Sequence, residues 1–281
     1  MKLKGIFILL NGVLAAAFLV IFLLPLLLIG ADWFSLFWSR NWPIALAFIA
    51  ALGIVDCYFL LNWRLFRGLE KEDWPAVAAF LEEKIYRQGW AFSFHARMLL
   101  NTYLLTSNIE SIRALEAYFV KRKPRLIGKF SLSFGIPHLL AKDPKDPEAF
   151  FSALLESAHV ANREWVRWNR AFSLLQLKEE DRARAELLSL ADSRLEPVLL
   201  LLSLYLLDVL AKGDDSLGKR VAKERESLRG RFTQEAFGRT IEAAAGNMEV
   251  VILSRLVQDA TQWLFAAPAS IAPTAEKTSA R

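Results

Sequence analysis

The side chains of this 281-residue chain best suited to chemistry are three histidines, His95, His138 and His159, and one cysteine, Cys57. A zinc or related metal site draws several such ligands together at short, regular spacings. None of the histidines is followed by a further ligand at i+3 or i+4. A lone cysteine builds no zinc cluster and closes no internal disulfide. The chain has no glycine-rich phosphate loop and no Gly-x-Ser-x-Gly elbow. Asp143 and Asp146 flank prolines in Asp143-Pro-Lys-Asp-Pro147 and read as a solvated turn. The chain therefore reads as a non-enzyme without cofactor or metal, although an active site assembled from distant residues leaves no local motif.

The polar residues in the first third lie in unusual company. From Gly5 to Ile29 there is no charged residue, and from Trp42 to Trp63 there is one, Asp56. Hydrophobic residues make up 54% of the chain, which directs attention to membrane spans. A helix of about 25 residues rising ~1.5 Å each exceeds the ~30 Å hydrocarbon core. Two readings compete with a first span. Lys2, Lys4 and Ala15-Ala16-Ala17 could belong to a cleaved signal peptide, but the apolar run continues past Ala17. A buried soluble helix could account for the second run, but tryptophans stand at both of its ends.

The expected anchor, residues 1–66, is thus a two-span hairpin in a bacterial inner or plasma membrane. Its linker, Gly30–Asn41, holds Trp33, Phe34, Phe37 and Trp38 and reads as a tight turn in the far interface. Lys2 and Lys4 precede the first span, whereas Arg64, Arg67 and Lys71 follow the second. The basic flanks predict cytoplasmic N- and C-termini. Asn11 lies seven residues beyond Lys4, and Asp56 eight before Arg64. In an antiparallel hairpin both then sit roughly 10–12 Å deep at ~1.5 Å per residue. A hydrogen bond between them would glue the hairpin by about 1 kcal/mol. Alternatively Asp56 binds a partner span, relays a proton, or sits at a water-filled defect.

Residues 67–267 read as an all-α domain, followed by a disordered tail over 268–281. Asp73 reads as an N-cap, with Pro75 in the first turn of a helix ending near Gly89. Further helices are expected over 92–105, 108–124, 147–157, 163–176, 179–191, 197–211, 217–229, 233–245 and 248–265, with 126–141 less regular. Paired helices at a spacing of about 35 residues suggest a solenoid. Asp73-Trp-Pro-Ala-Val-Ala-Ala-Phe-Leu-Glu-Glu-Lys-Ile85 resembles the second helix of a tetratricopeptide (TPR) repeat. Leu100, Tyr103, Ile109, Ile112, Phe119 and Pro124 resemble another repeat, and Ala171, Leu174, Ala183, Leu187, Leu190 and Pro197 a third. The sequence departs from that pattern at Ile112, where the family has a small residue, and at Glu116, where it has an apolar one. The resemblance implies a TPR-like solenoid that binds other proteins.

Two surface features complete the reading. Lys121, Arg122, Lys123, Arg125 and Lys129 cluster in a stretch with no acidic residue between Glu116 and Asp143 and with His138 and Lys142 nearby. This is a solvated helix end, a contact for anionic lipid headgroups, or a site for an acidic protein or nucleic acid. The formal net charge of +5 is too mild to argue for nucleic acid. Trp165, Trp168 and Phe172 form an aromatic stripe that belongs either to the core or to a peptide-binding groove. The leading expectation is a membrane-anchored helical-repeat scaffold with a protein partner at the bilayer surface. The alternative is an accessory subunit that assembles a membrane enzyme or transporter complex through its hairpin.

Overall fold

The computed structural model describes residues 3–244 and 248–266, and among these every regular element is helical. The expected tail over 268–281 and Lys2 lie outside the described residues. Two compact units divide between Ile109 and Glu110. The compositional break at 66/67 is thus not where the chain divides spatially, because the helices after it pack back onto one another and onto the end of the hairpin.

The first unit opens with α1 (Leu3–Ile29) and α2 (Ala31–Leu61). The linker expected over Gly30–Asn41 is not a loop. Gly30 alone reverses the chain, at φ 95°, and α2 begins at the next residue. A residue without Cβ adopts that conformation at little cost. Ser39 Oγ donates to Leu36 O at 2.8 Å and Asn41 Nδ2 to Phe37 O at 2.9 Å. These polar side chains are thereby satisfied on the helix itself, upstream of Pro43. The side chains of Trp33 and Phe34 lie outside the described set.

Ring contacts set the antiparallel register. Phe7 stacks on Phe59 at 3.8 Å, Phe18 on Phe48 at 5.3 Å, and Phe22 meets Trp38 at 5.5 Å. Both helices contain segments long and apolar enough to cross a membrane, Lys4–Leu24 and Ser35–Leu61. Only 6% of each apolar window is buried within the chain.

Asn62 joins α2 to α3 (Trp63–Glu70), which packs against α4 (Trp74–Glu82). Asp73 caps α4 by accepting from the Ala76 N–H at 3.1 Å. The helix passes into a π-helical turn, Glu83–Arg87, before α5 (Ser93–Leu105). Tyr103 on α5 donates to Glu82 Oε1 at 2.7 Å. Burial, reinforced by that bond, pushes its phenol far above the usual range.

The second unit contains α6 (Ile109–Arg122), α7 (Pro124–Lys129), α8 (Ser131–Leu139), α9 (Lys145–Glu156), α10 (Arg163–Gln176), α11 (Glu180–Ala191), α12 (Pro197–Leu210), α13 (Asp215–Arg231), α14 (Gln234–Ala244), α15 (Met248–Ile252) and α16 (Ser254–Phe265). The helix expected over 248–265 is interrupted at Leu253. From α8 to α13 each helix packs on the next, and α8, α10 and α12 also touch in alternate order. This is the pattern of stacked helix pairs. α12, PVLLLLSLYLLDVL, is apolar nearly all round and is covered on several sides, by α11, α13, α14 and α16.

The segment over 126–141, expected to be irregular, forms α7 and α8. Its glycines permit close approach. A Cβ at Gly128 would lie 2.1 Å from the backbone oxygen of His159. In return, Ala161 N donates to Gly128 O at 2.9 Å, and Ser131 Oγ donates to Ala161 O at 3.0 Å. The 157–162 connection is thereby pinned to α7 and α8. Gly128→Ala should destabilise the second unit by about 1–3 kcal/mol, because the obstacle is backbone and cannot rotate away. Gly218→Ala, on a helix with nothing within 4 Å of the added carbon, should instead stabilise by roughly 0.5–1 kcal/mol. Thermal unfolding of the two variants by circular dichroism checks the opposite signs.

Candidate functional site

Asn11 and Asp56 come together. Asn11 Nδ2 donates to Asp56 Oδ1 at 2.9 Å, and both residues are half-buried between α1 and α2. The bond sits between the Phe7–Phe59 and Phe18–Phe48 stacks, so apolar rings flank the polar pair along the hairpin. A carboxylate in such surroundings costs free energy unless a donor meets it.

The basic cluster spans the end of α6 and the short α7. Lys121, Arg122, Lys123, Arg125 and Lys129 are all exposed, and none forms an ion pair among the described residues. Lys121 and Arg122 occupy the last turn of α6, where cations complement the helix dipole. Arg122 also lies over the Tyr118 ring at 5.6 Å. His138, grouped with this cluster by sequence, does not belong to it: only 7% of the residue is exposed and its ring faces acidic partners.

That histidine is the centre of a network not expected from the sequence. Its Nε2 lies 3.0 Å from Glu116 Oε2, and its Nδ1 lies 3.0 Å from Asp146 Oδ1. Its ring stacks on Phe150 at 4.1 Å. Arg113 Nη2 donates to Asp146 Oδ2 at 2.6 Å and to Pro137 O at 2.9 Å. Asp146 is therefore not in a merely solvated turn; it opens α9 and joins that helix to α6 and α8. Burial works to raise its pKa, but hydrogen bonds from Arg113 and His138 outweigh it and hold the carboxyl below its usual range. Both ring contacts are hydrogen bonds when the imidazole carries two protons.

This arrangement is a structural tie. Each ring nitrogen faces a carboxylate at 3.0 Å, so the imidazole links α6 and α9 through α8. The two carboxylates approach opposite nitrogens and cannot converge on one ion. Among the described residues no group of three His, Cys, Asp or Glu could hold a metal. The signal for this network was Glu116, which stands where the repeat pattern has an apolar residue.

The aromatic stripe is not an exposed groove. Trp165 and Trp168 are 6% and 0% exposed and belong to the core, with Phe172 half-buried and stacked on Trp168 at 5.5 Å. The helix's periodicity turns that face inward. The opposite face of α10 carries Arg163, Arg167 and Arg170 at i, i+4 and i+7, and these line an open groove of about 650 Å³ with Glu164 and with Glu186 of α11. Glu186 accepts from Arg167 Nε at 2.5 Å and from Arg170 Nη2 at 2.6 Å.

Comparison with known proteins places the second unit most clearly. A family described as "Uncharacterised Treponema protein" matches residues 111–266, just over half of the chain and nearly coincident with that unit. The chain belongs to this family. It is also similar along most of its length to an "Uncharacterized protein" of Treponema pallidum (strain Nichols), at 28% identity over 94% of this chain and 88% of that protein. No solved structure matches.

Asp56→Leu should weaken the pairing of α1 with α2 by about 1 kcal/mol, the usual worth of a polar bond between apolar helices. Interhelical crosslinking between cysteines placed near Phe7 and Phe59 would read the loss. Asp146→Asn should cost stability at neutral pH. Because the folded carboxyl titrates below its unfolded value, Asp146 contributes stability above the ordinary aspartate pKa of about 3.9, and that contribution fades as the pH falls below it. Urea unfolding at pH 7 and near pH 3 should show the variant's deficit narrowing in acid. An equal deficit at both pH values would contradict the assignment.

Proposed function

We propose that the protein is a membrane-anchored scaffold. Its hairpin crosses the bilayer twice, and its second unit, a TPR-like stack of helix pairs, holds a protein partner at the membrane surface. The observation that carries this reading is the exposure of two membrane-length apolar helices, each with only 6% of its window buried. Such surface requires a lipid or protein covering. The basic flanks favour termini on the cytoplasmic side of a bacterial inner or plasma membrane.

The TPR-like reading rests on the alternate contacts of α8, α10 and α12 and on the family-like apolar positions at Ala171, Leu174, Ala183, Leu187 and Leu190. Stacked helix pairs present long surfaces suited to protein binding. The groove between α9, α10 and α11 sets Arg163, Arg167 and Arg170 beside Glu156, Glu164 and Glu186 and so offers a partner segment charges of both signs. The exposed cations of α6 and α7 suit anionic headgroups, each worth about 1 kcal/mol near the surface.

The accessory-subunit reading draws on Asp56, an ionisable group at span depth whose second oxygen could meet another helix. Photo-crosslinking in native membranes separates the two. A crosslinker at Glu164, in the groove, should give a discrete protein adduct that persists in an Asp56→Leu background. Adducts that arise only from a span position such as Val55, and vanish with Asp56→Leu, would replace the scaffold with the assembly role.

A further inference from the structure

Between Arg87 and His95 the chain reads Arg-Gln-Gly-Trp-Ala-Phe-Ser-Phe-His. This short connection joins the π-helical turn to α5, and its geometry is tightly defined. Gly89 takes φ 71°, Ala91 N donates to Gly89 O at 2.8 Å, and Phe92 N donates to Trp90 O at 2.8 Å. Trp90 N reaches back to Lys84 O at 2.9 Å, and His95 Nδ1 lies 3.1 Å from Trp90 O. Ala91 turns inward and is buried. The aromatic residues turn outward: Trp90 is 48% exposed, Phe92 62% and Phe94 45%. They form one patch, with Trp90 and Phe92 at 6.5 Å and His95 touching both Phe92 and Phe94. An ordered turn that displays three large aromatic side chains leaves substantial apolar area to be covered.

The surrounding charge indicates what covers it. Lys84 Nζ sits 4.4 Å above the Trp90 ring, and Arg87 and Arg97 are exposed nearby. There is no acidic residue between Glu83 and Glu110. Aromatic rings with cations beside them suit the bilayer's interfacial zone, where rings sit at headgroup level and cations meet anionic lipid.

The path of the chain carries the patch there. α4 runs back along α3: Gly68 packs on Val77 so closely that a Cβ would lie 2.8 Å from its Cγ2, and Arg64 pairs with Glu83 at 3.9 Å. At Glu83 the arm has thus returned to the first turn of α3. The helical turn runs only to Arg87, roughly 6 Å of rise, and the Gly89 turn folds Trp90 back onto its end. The headgroup layer is ~5–7 Å thick on each side of the hydrocarbon. The tip therefore lies within reach of the surface where α2 emerges.

We propose that the Trp90–Phe94 tip is an interfacial membrane anchor, with Trp90, Phe92 and Phe94 seated among the headgroups of the leaflet from which α2 leaves the bilayer. This inference rests on the spanning reading of α1 and α2. The tip makes a third attachment, and it fixes the α3–α5 arm against the membrane so that the arm does not swing from Asn62.

Depth-dependent quenching of the full-length chain tests it. In a Cys57→Ser background, single cysteines at Phe92, at Val55 in the second apolar helix and at the exposed Glu226 of α13 are labelled with a small environment-sensitive fluorophore. The protein is reconstituted into mixed phosphatidylcholine–phosphatidylglycerol vesicles. The Phe92→Cys label should be quenched several-fold more by headgroup-nitroxide lipid than the Glu226→Cys label, and several-fold less by aqueous iodide. A Phe92 label that behaves like the Glu226 label, while the Val55→Cys label is quenched by acyl-chain nitroxide, overturns the anchor and leaves the spans intact. Protection of the Phe92 label from both quenchers also overturns it, because protein would then be the cover. A Val55 label open to iodide removes the spanning reading and the tip anchor together.

Discussion

A carboxylate placed among apolar side chains must find a donor, and in both units this requirement fixes how helices meet. In the hairpin Asp56 is answered by Asn11 at 2.9 Å. Sliding α1 past α2 by one turn would strand the carboxylate and also separate the Phe7–Phe59 and Phe18–Phe48 stacks. The polar bond contributes little by itself, but its loss in a low-dielectric setting costs more than its formation gains. The pair thus acts chiefly on register, and the aromatic contacts supply the area.

The helical unit solves the same problem with more groups. His138 is nearly buried, and two carboxylates and an arginine surround it. Arg113 and Glu116 come from α6, His138 from α8, and Asp146 from α9. Apolar packing such as Phe119 against Phe134 joins α6 to α8 without direction, whereas the hydrogen bonds orient the three helices. Glycines assist by removing bulk: at Gly135 a Cβ would meet the Phe151 ring at 2.7 Å. The stack from α8 to α13 is built on this start, and the apolar α12 supplies its centre.

The family match covers the second unit, whereas the likeness to the Treponema pallidum protein extends over the first as well. A pair of membrane-length apolar helices with a single carboxylate between them suits holding the helical domain in place. It directs attention to the groove beside α10 and to the cations of α6 and α7.

Much of this was legible in the residues alone. Apolar run length determined α1 and α2, because spanning ability depends on composition over some 20 residues. The depth match of Asn11 with Asp56 followed from counting residues along two antiparallel helices. Asp73 marked the start of α4, and periodicity located most later helices to within one or two residues. Other features depended on partners far apart in sequence. Gly30 alone turning the hairpin was not visible, since aromatic and polar residues at 31–41 fit an interfacial loop as well as a helix. Trp165 and Trp168 read as core or as groove until the packing of α10 against its neighbours buried them. Glu116, His138 and Asp146 are 22 and 8 residues apart, so no local pattern could join them. The sequence determined which segments are helical and which are apolar, because those properties are local. Only the tertiary structure decided which polar groups meet, because a buried charge takes its partner from whichever helix packing brings within 3 Å.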